Sequence, residues 1–474
     1  MFLNRFARYP EILTALTEQK NETLGGMAEA MGVSVERLSA LQQGAATIGP
    51  AEEWALLGFC DRKRYYDVLV DHGVSPPPYD RYGPFSFDLD PIATDWPHRE
   101  LIERRTNILG FDVAYPVGVP ACALTFKPTW LSYFQDRGFC IFTHKTVREK
   151  SKQGKEWTGH SAPHWAFAER VEGSFEYPFD EARVVADMDR WPTHPADFSM
   201  VNSFGVPSLE PKDWQKEIRA ERELLAEGSV LIVSVMGNPE EADDEADLAR
   251  SFARTAALAK EAGAQIVEAN LSCPNPPPPP GGRMSPRDQG AAQEGIYASP
   301  EMAKLVCTEI KSEIGKDFPL LIKIGYLPGS ELSRLMRELA DTIDGVVAIN
   351  TIGLTVGDQK GQSFFQGRPK AGLSGSIIKN HARDVLENLV TLRKDVNPDL
   401  AILGVGGVTT ANDVHEFEDL GIDAVLSCTG AWMNPNLAIE ARLSQTVDST
   451  RLQSTFGEKA LEGLDAFAVE VIGS

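Results

Sequence analysis

The stretch VEANLSCPNPPPPP at residues 267–280 carries an apolar, strand-like run into a thiol and then into five consecutive prolines. A cysteine on the loop immediately after a strand can act as general base towards a C–H proton beside a carbonyl, and Cys273 stands in that position. A lone cysteine equally serves as a small buried hydrophobe. Other strand-like runs close on polar residues too: Thr143-His144-Lys145-Thr146, Lys323, Asn350-Thr351, Gly404-Val405-Gly406-Gly407 and Cys428-Thr429-Gly430. Taken singly, an asparagine caps a helix, a lysine snorkels and a glycine pair makes a turn. Gathered at one place, they could hold a planar, anionic, amide-bearing cofactor. The GVGG turn, with a helix expected from Thr409 and with Thr429 in the next turn, would cradle a phosphate on backbone N–H groups. Lys323 could put positive charge near a ring that becomes anionic on reduction, as a flavin does. Asparagines offer paired donors and acceptors to a pyrimidine-like ring without adding charge.

Positioning these residues requires strands that end together. From about residue 105, short β-like runs alternate with helical segments: YPVGVPA, FCIFTHK, VLIVSVMG, QIVEANLS, PLLIKIGY, DGVVAINTIG, LAILGVGG and DAVLSCTG. Eight such runs predict a parallel (β/α)₈ TIM barrel, an α/β fold whose active site forms at the C-terminal ends of the strands; a doubly wound sheet is the rival. The barrel is expected over residues 105–450 and a C-terminal tail over 451–474. A Pro- and aromatic-rich linker is expected over 71–104, and a small all-helical module over 1–70. In that module two short helical patterns flank a Gly-Val-Ser break, with Ser34 as N-cap, which resembles a helix-turn-helix. Residues 1–60 hold four basic and seven acidic side chains, the wrong sign for phosphate contacts, so a packing or docking role is expected.

The whole chain of 474 residues has a formal net charge of −22, which disfavours nucleic acid and anionic membranes as partners. Its six cysteines are dispersed, with no CxxC pair or Cys/His cluster, so neither a disulfide framework nor a metal site is expected. No stretch approaches the ~20 apolar residues of a membrane span, and the N-terminus is too polar for a signal peptide, so the expectation is a cytoplasmic protein.

NLSCPN at 270–275 resembles the active-site motif of the dihydroorotate dehydrogenases in their cysteine-base form. The similarity runs over roughly residues 105–445, through PVGVPA (116–121), FTHKT (142–146), NSFGVPS (202–208), IKIGY (322–326), INTIG (349–353), GLSGS (372–376), LGVGG (403–407) and AVLSCTG (424–430). The resemblance implies an FMN-containing barrel that oxidises dihydroorotate to orotate in pyrimidine biosynthesis. Cys273 would remove the C5 proton while a hydride passes from C6 to flavin N5. It implies substrate contacts from Asn202, Asn270, Asn275, Asn350 and Thr351, and flavin contacts from Ala121, Lys145, Thr146, Asn202, Asn270, Lys323, Gly375, Gly406, Gly407 and Thr429. A turn through Gly205 and Val206 could aim N–H groups at the substrate carboxylate. The chain departs from the family pattern at Cys122 and Cys428, where glycine is common, and in an expanded segment between Lys145 and Asn202 that could form a lid. Cys428 is similar to the dihydropyrimidine dehydrogenases, which stand as the alternative; a flavin-containing redox sensor or scaffold is a second. The electron acceptor, a partner subunit and a homodimer are left open by the motifs.

Overall fold

The computed structural model describes residues 9–46, 48, 50–63, 65–72, 103–149, 156–188, 195–272, 295–365 and 367–444. Five helices come first: α1 (Tyr9–Glu18), α2 (Leu24–Met31), α3 (Val35–Gln42), α4 (Pro50–Lys63) and α5 (Tyr66–Asp71). They bury Ile12, Leu13, Leu16, Met27, Leu38 and Leu41 in a core of their own. The α2–α3 break is built as the sequence implies. Gly32 closes α2 in the left-handed region (φ 69°), and the Ser34 hydroxyl accepts from the Arg37 N–H to start α3. Nearly all of the expected linker, and the whole tail, fall outside the described residues.

The second part opens on a hairpin of β1 (Thr106–Ile108) and β2 (Phe111–Val113). There follow β3 (Val117–Val119), α6 (Pro128–Gln135), β4 (Ile141–Arg148), β5 (Trp165–Glu172), β6 (Arg183–Asp187), β7 (Ser199–Asn202), α7 (Pro211–Leu224), β8 (Val230–Met236), α8 (Glu245–Ala262) and β9 (Ile266–Asn270). Then come α9 (Pro300–Ile314), β10 (Leu320–Ile324), α10 (Gly329–Leu339), β11 (Gly345–Ala348), β12 (Ile352–Gly357), β13 (Lys370–Gly375) and α11 (Lys379–Val396). The described chain ends with β14 (Ala401–Val405), α12 (Ala411–Glu418), β15 (Ala424–Leu426), α13 (Thr429–Met433) and α14 (Leu437–Ser444).

Strands β3-β4-β8-β9-β10-β11-β14-β15 pair in parallel and close on themselves through Val425↔Val117. Closure excludes the doubly wound sheet, and each of the eight expected runs supplies one strand. The runs are continuously apolar because each strand is covered by helices outside and by the barrel interior inside; all seven residues of β8 are buried. Side-chain caps fix where helices leave the sheet, as with Asp244 for α8 and Ser299, followed by Pro300, for α9.

A second ring was not expected from the sequence. Strands β12-β13-β7-β5-β6 close into five-stranded order, mostly antiparallel, from two insertions that follow the C-terminal ends of β4 and β11. The stretch read as a lid between Lys145 and Asn202 supplies β5 and β6 of this ring. It stands over the barrel mouth, where Asn202 of β7, Gly353 of β12 and Gly375 of β13 face the same cavity as the barrel strand ends.

Candidate active site

A cavity of about 900 Å³ occupies the space between the barrel strand ends and the second ring, at the upper end of ordinary ligand sites. Ala121, Lys145, Thr146, Asn202, Gly205, Val206, Asn270, Lys323, Asn350, Thr351, Gly375, Gly406, Gly407 and Thr429 all line it. Cys273 and Asn275 lie outside the described residues. The structure ends this segment at Ser272, whose hydroxyl accepts from Asn350 Nδ2 (2.7 Å) and donates to Asn270 Oδ1 (3.0 Å). Ser272 is therefore a fixed point directly before Cys273. Sequence reasoning overlooked it, although it stands inside the NLSCPN motif.

The presence of both Lys145 and Thr146 in the cavity needs explaining, because neighbours on a regular strand point to opposite faces. The β4–β8 register shifts between His144 and Val147, and this bulge turns consecutive residues inward. Thr146 Oγ1 then bonds Ser234 Oγ (3.0 Å) and accepts from Asn270 Nδ2 (3.2 Å), which locks the asparagine amide. His144 points the other way and bonds Glu221 of α7 through Nδ1 at 2.8 Å, a buried tie between barrel and helix layer. Asn202 Nδ2 donates to the Gly372 carbonyl across the ring (3.2 Å).

Lys323 is 4 % exposed and its ammonium donates no hydrogen bond among the described residues. In the barrel interior near it is Glu268, fully buried, with Lys323 and the Ser234 hydroxyl as its polar neighbours. Burial pushes the Glu268 carboxyl above its usual range, against the opposing pull of Lys323.

At the other end the GVGG turn differs from expectation. The helix begins at Ala411, not Thr409, because the Asp413 carboxylate accepts the N–H groups and hydroxyls of both Thr409 and Thr410 in a capping box. The N–H groups of Gly406 and Gly407 have no partner among the described residues. Gly407 has φ 82°, and a Cβ there would lie 2.4 Å from the Lys379 Cα, so only glycine lets the turn press against the start of α11.

The two departures from glycine meet at this site. Cys122, beyond β3, and Cys428, beyond β15, both line the cavity. Burial opposes ionisation of Cys122, but the hydrogen bond from Cys428, the Leu124 N–H at 3.4 Å and the charges of Lys145 and Lys323 outweigh it and lower its pKa. Cys428 is correspondingly raised by its bond to Cys122 and by burial.

Residues 188–448 match the family model described as dihydroorotate dehydrogenase. The chain belongs to the dihydroorotate dehydrogenase family. It is thereby a flavin-dependent oxidoreductase acting on a CH–CH group. Among curated relatives it is 28% identical over 341 residues to a dihydroorotate dehydrogenase of Dictyostelium discoideum, covering 70% of this chain and 86% of that one. It is 30% identical over 209 residues to the NAD-dependent dihydropyrimidine dehydrogenase subunit PreA of Escherichia coli (strain K12), covering 42% and 44% of the two chains. With the dihydroorotate dehydrogenase B (NAD(+)) catalytic subunit of Methanocaldococcus jannaschii it shares 26% identity over 235 residues, 49% and 66% of the respective chains. Among the described residues no helix is long and apolar enough to cross a membrane.

Proposed function

We propose that this dihydroorotate dehydrogenase family member binds FMN and oxidises dihydroorotate to orotate. The observation that carries the reading is the convergence of every described candidate residue on one cavity around the buried Lys323. The donor set suits the cofactor at both ends. The free amides of Gly406 and Gly407 fit the phosphate, and Lys323 and Lys145 fit a ring that gains negative charge. FMN, when bound, accepts the hydride from substrate C6.

The protein's own part is orientation and proton removal. Asn202, Asn270 and Asn350 present amides to the pyrimidine, and two of the three are held by Ser272. Cys273, one residue further on, takes the C5 proton. Gly205, at φ 71°, turns its own N–H and that of Val206 away from any partner among the described residues, which leaves both for the substrate carboxylate. Glycine is required there because a side chain in that conformation is strained. Cys428 and the similarity to PreA favour one other reading, interconversion of a uracil-type pyrimidine and its dihydro form.

Anaerobic addition of dihydroorotate or dihydrouracil to the yellow, flavin-loaded protein separates these. The expected result is much faster bleaching by dihydroorotate, and with Cys273→Ala a rate lower by about 10²–10⁴-fold with flavin retained. Equal or inverted rates for the two substrates would move the protein to the uracil-type reading.

A further inference from the structure

The insertion between Lys145 and Asn202 carries a side chain that the family motifs do not contain. Residues 157–160 run antiparallel to 204–208, with Trp157 paired to Ser208 and the His160 N–H donating to the Phe204 carbonyl (3.0 Å). This lays His160 along NSFGVPS, inside the cavity. The edge of its ring carrying Nε2 and Cδ2 is 3.4 Å from where a Gly205 Cβ would be, which places the imidazole directly beside this glycine.

Arg368 and Ser203 form the hydrogen-bonding surroundings of the ring. Arg368 Nη1 donates to Ser203 Oγ (3.1 Å) and to the Ser203 carbonyl (2.8 Å), while Nη2 donates to the carbonyls of Ser161 and Pro163. Ser203 Oγ, already an acceptor, has its own hydrogen left for His160 Nδ1 at 3.2 Å. With that hydrogen donated to Nδ1, the neutral ring carries its proton on Nε2. Nε2 has no acceptor among the described residues. Burial, followed by the positive charge of Arg368, holds His160 below the usual imidazole range, so the neutral donor form prevails near neutral pH. Arg148 is the other nearby cation, and it is paired with Glu240 at 3.0 Å.

We infer that His160 is a specificity-determining residue: its Nε2–H joins the Gly205 and Val206 amides as a third donor to the substrate carboxylate, with the Arg368–Ser203 pair setting the tautomer. The inference rests on the dihydroorotate reading. It explains how a strongly acidic protein can select an anionic pyrimidine without placing a permanent charge against it.

Steady-state kinetics of the flavin-loaded protein with dihydroorotate and dihydrouracil test it. His160→Phe keeps a ring of similar shape and removes the donor; His160→Gln keeps an N–H. For His160→Phe, KM for dihydroorotate should rise by at least about tenfold, the usual effect of a lost hydrogen bond to a charged group. The loss should fall on KM rather than kcat, and the dihydroorotate-to-dihydrouracil ratio of kcat/KM should drop by the same factor. His160→Gln should recover part of it. Orotate affinity, read from the flavin spectrum, should fall in parallel. An unchanged KM in flavin-loaded His160→Phe, or an equal loss with both substrates, overturns the proposal. Failure of dihydroorotate to reduce the parental flavin would instead sink the substrate reading, and the proposal with it.

Discussion

Glu268 and Lys323 are one consequence of building a polar site inside a barrel. Glu268 sits on β9 two residues before Asn270, so it faces inward one layer below the asparagine. Its raised pKa makes stability depend on pH with a defined sign. A carboxyl raised in the folded state stabilises most below the unfolded value of about 4.3, and that contribution is lost as pH climbs towards the folded value. Glu268→Gln stays in the neutral form throughout. Thermal melts from pH 5 to 8 should therefore show the variant gaining on the parent as pH rises. A gap that does not change with pH would mean the carboxyl titrates normally. At this scale the sequence was legible where residue type alone implies chemistry, as with Lys323, Asn270 and the GVGG glycines. It was silent on Glu268 and Ser272, because nothing in a lone glutamate or serine says that it will be buried beside a lysine or wedged between two amides.

Elements repeat the pattern. The eight barrel strands were readable because parallel strands covered on both faces become unbroken apolar runs, and because those runs end in polar residues. The mouth ring was not, since IGLTVG and KAGLSG are Gly-rich and short, and they become ring strands by pairing with each other and with β6 and β7 far upstream. The helix after GVGG was placed two residues early for a local reason: Asp413 captures both preceding threonine amides. That shift leaves the glycine amides as the available donors, and a comparison of two glycines tests it. Gly110 and Gly407 both have positive φ, but a Cβ at Gly110 meets nothing within 4 Å whereas at Gly407 it strikes backbone. Gly110→Ala should cost only about 1 kcal/mol of stability and leave FMN affinity alone. Gly407→Ala should weaken FMN binding by about tenfold or more in a fluorescence titration, the equivalent of ~1.4 kcal/mol. Equal FMN affinities in the two variants would remove the turn from the cofactor site.

For the molecule as a whole, the helical module and the barrel have separate apolar cores. The module's likeness to a helix-turn-helix stops at its backbone. Lys20, Arg37 and Lys63 face Asp67, Glu52 and Glu22 respectively. A phosphate contact by any of them would first break an ion pair, within a chain of formal charge −22. The full chain is expected not to shift duplex DNA in a mobility assay at low salt. Binding that weakens steeply with added salt would refute this.

The closed ring over the cavity also dictates an order of synthesis. Strands β6, β5 and β7 are near neighbours in the chain and can pair as soon as they emerge, yet β6 and β7 then stand as open edges. The β12–β13 hairpin that covers both arrives much later: Asn202 finds its Gly372 partner 170 residues downstream. Until then the nascent chain displays two unpaired β-edges, the usual template for intermolecular association. A ribosome that stalls between β7 and β12 releases a product whose hazard is aggregation, set by the two strand edges it cannot yet cover.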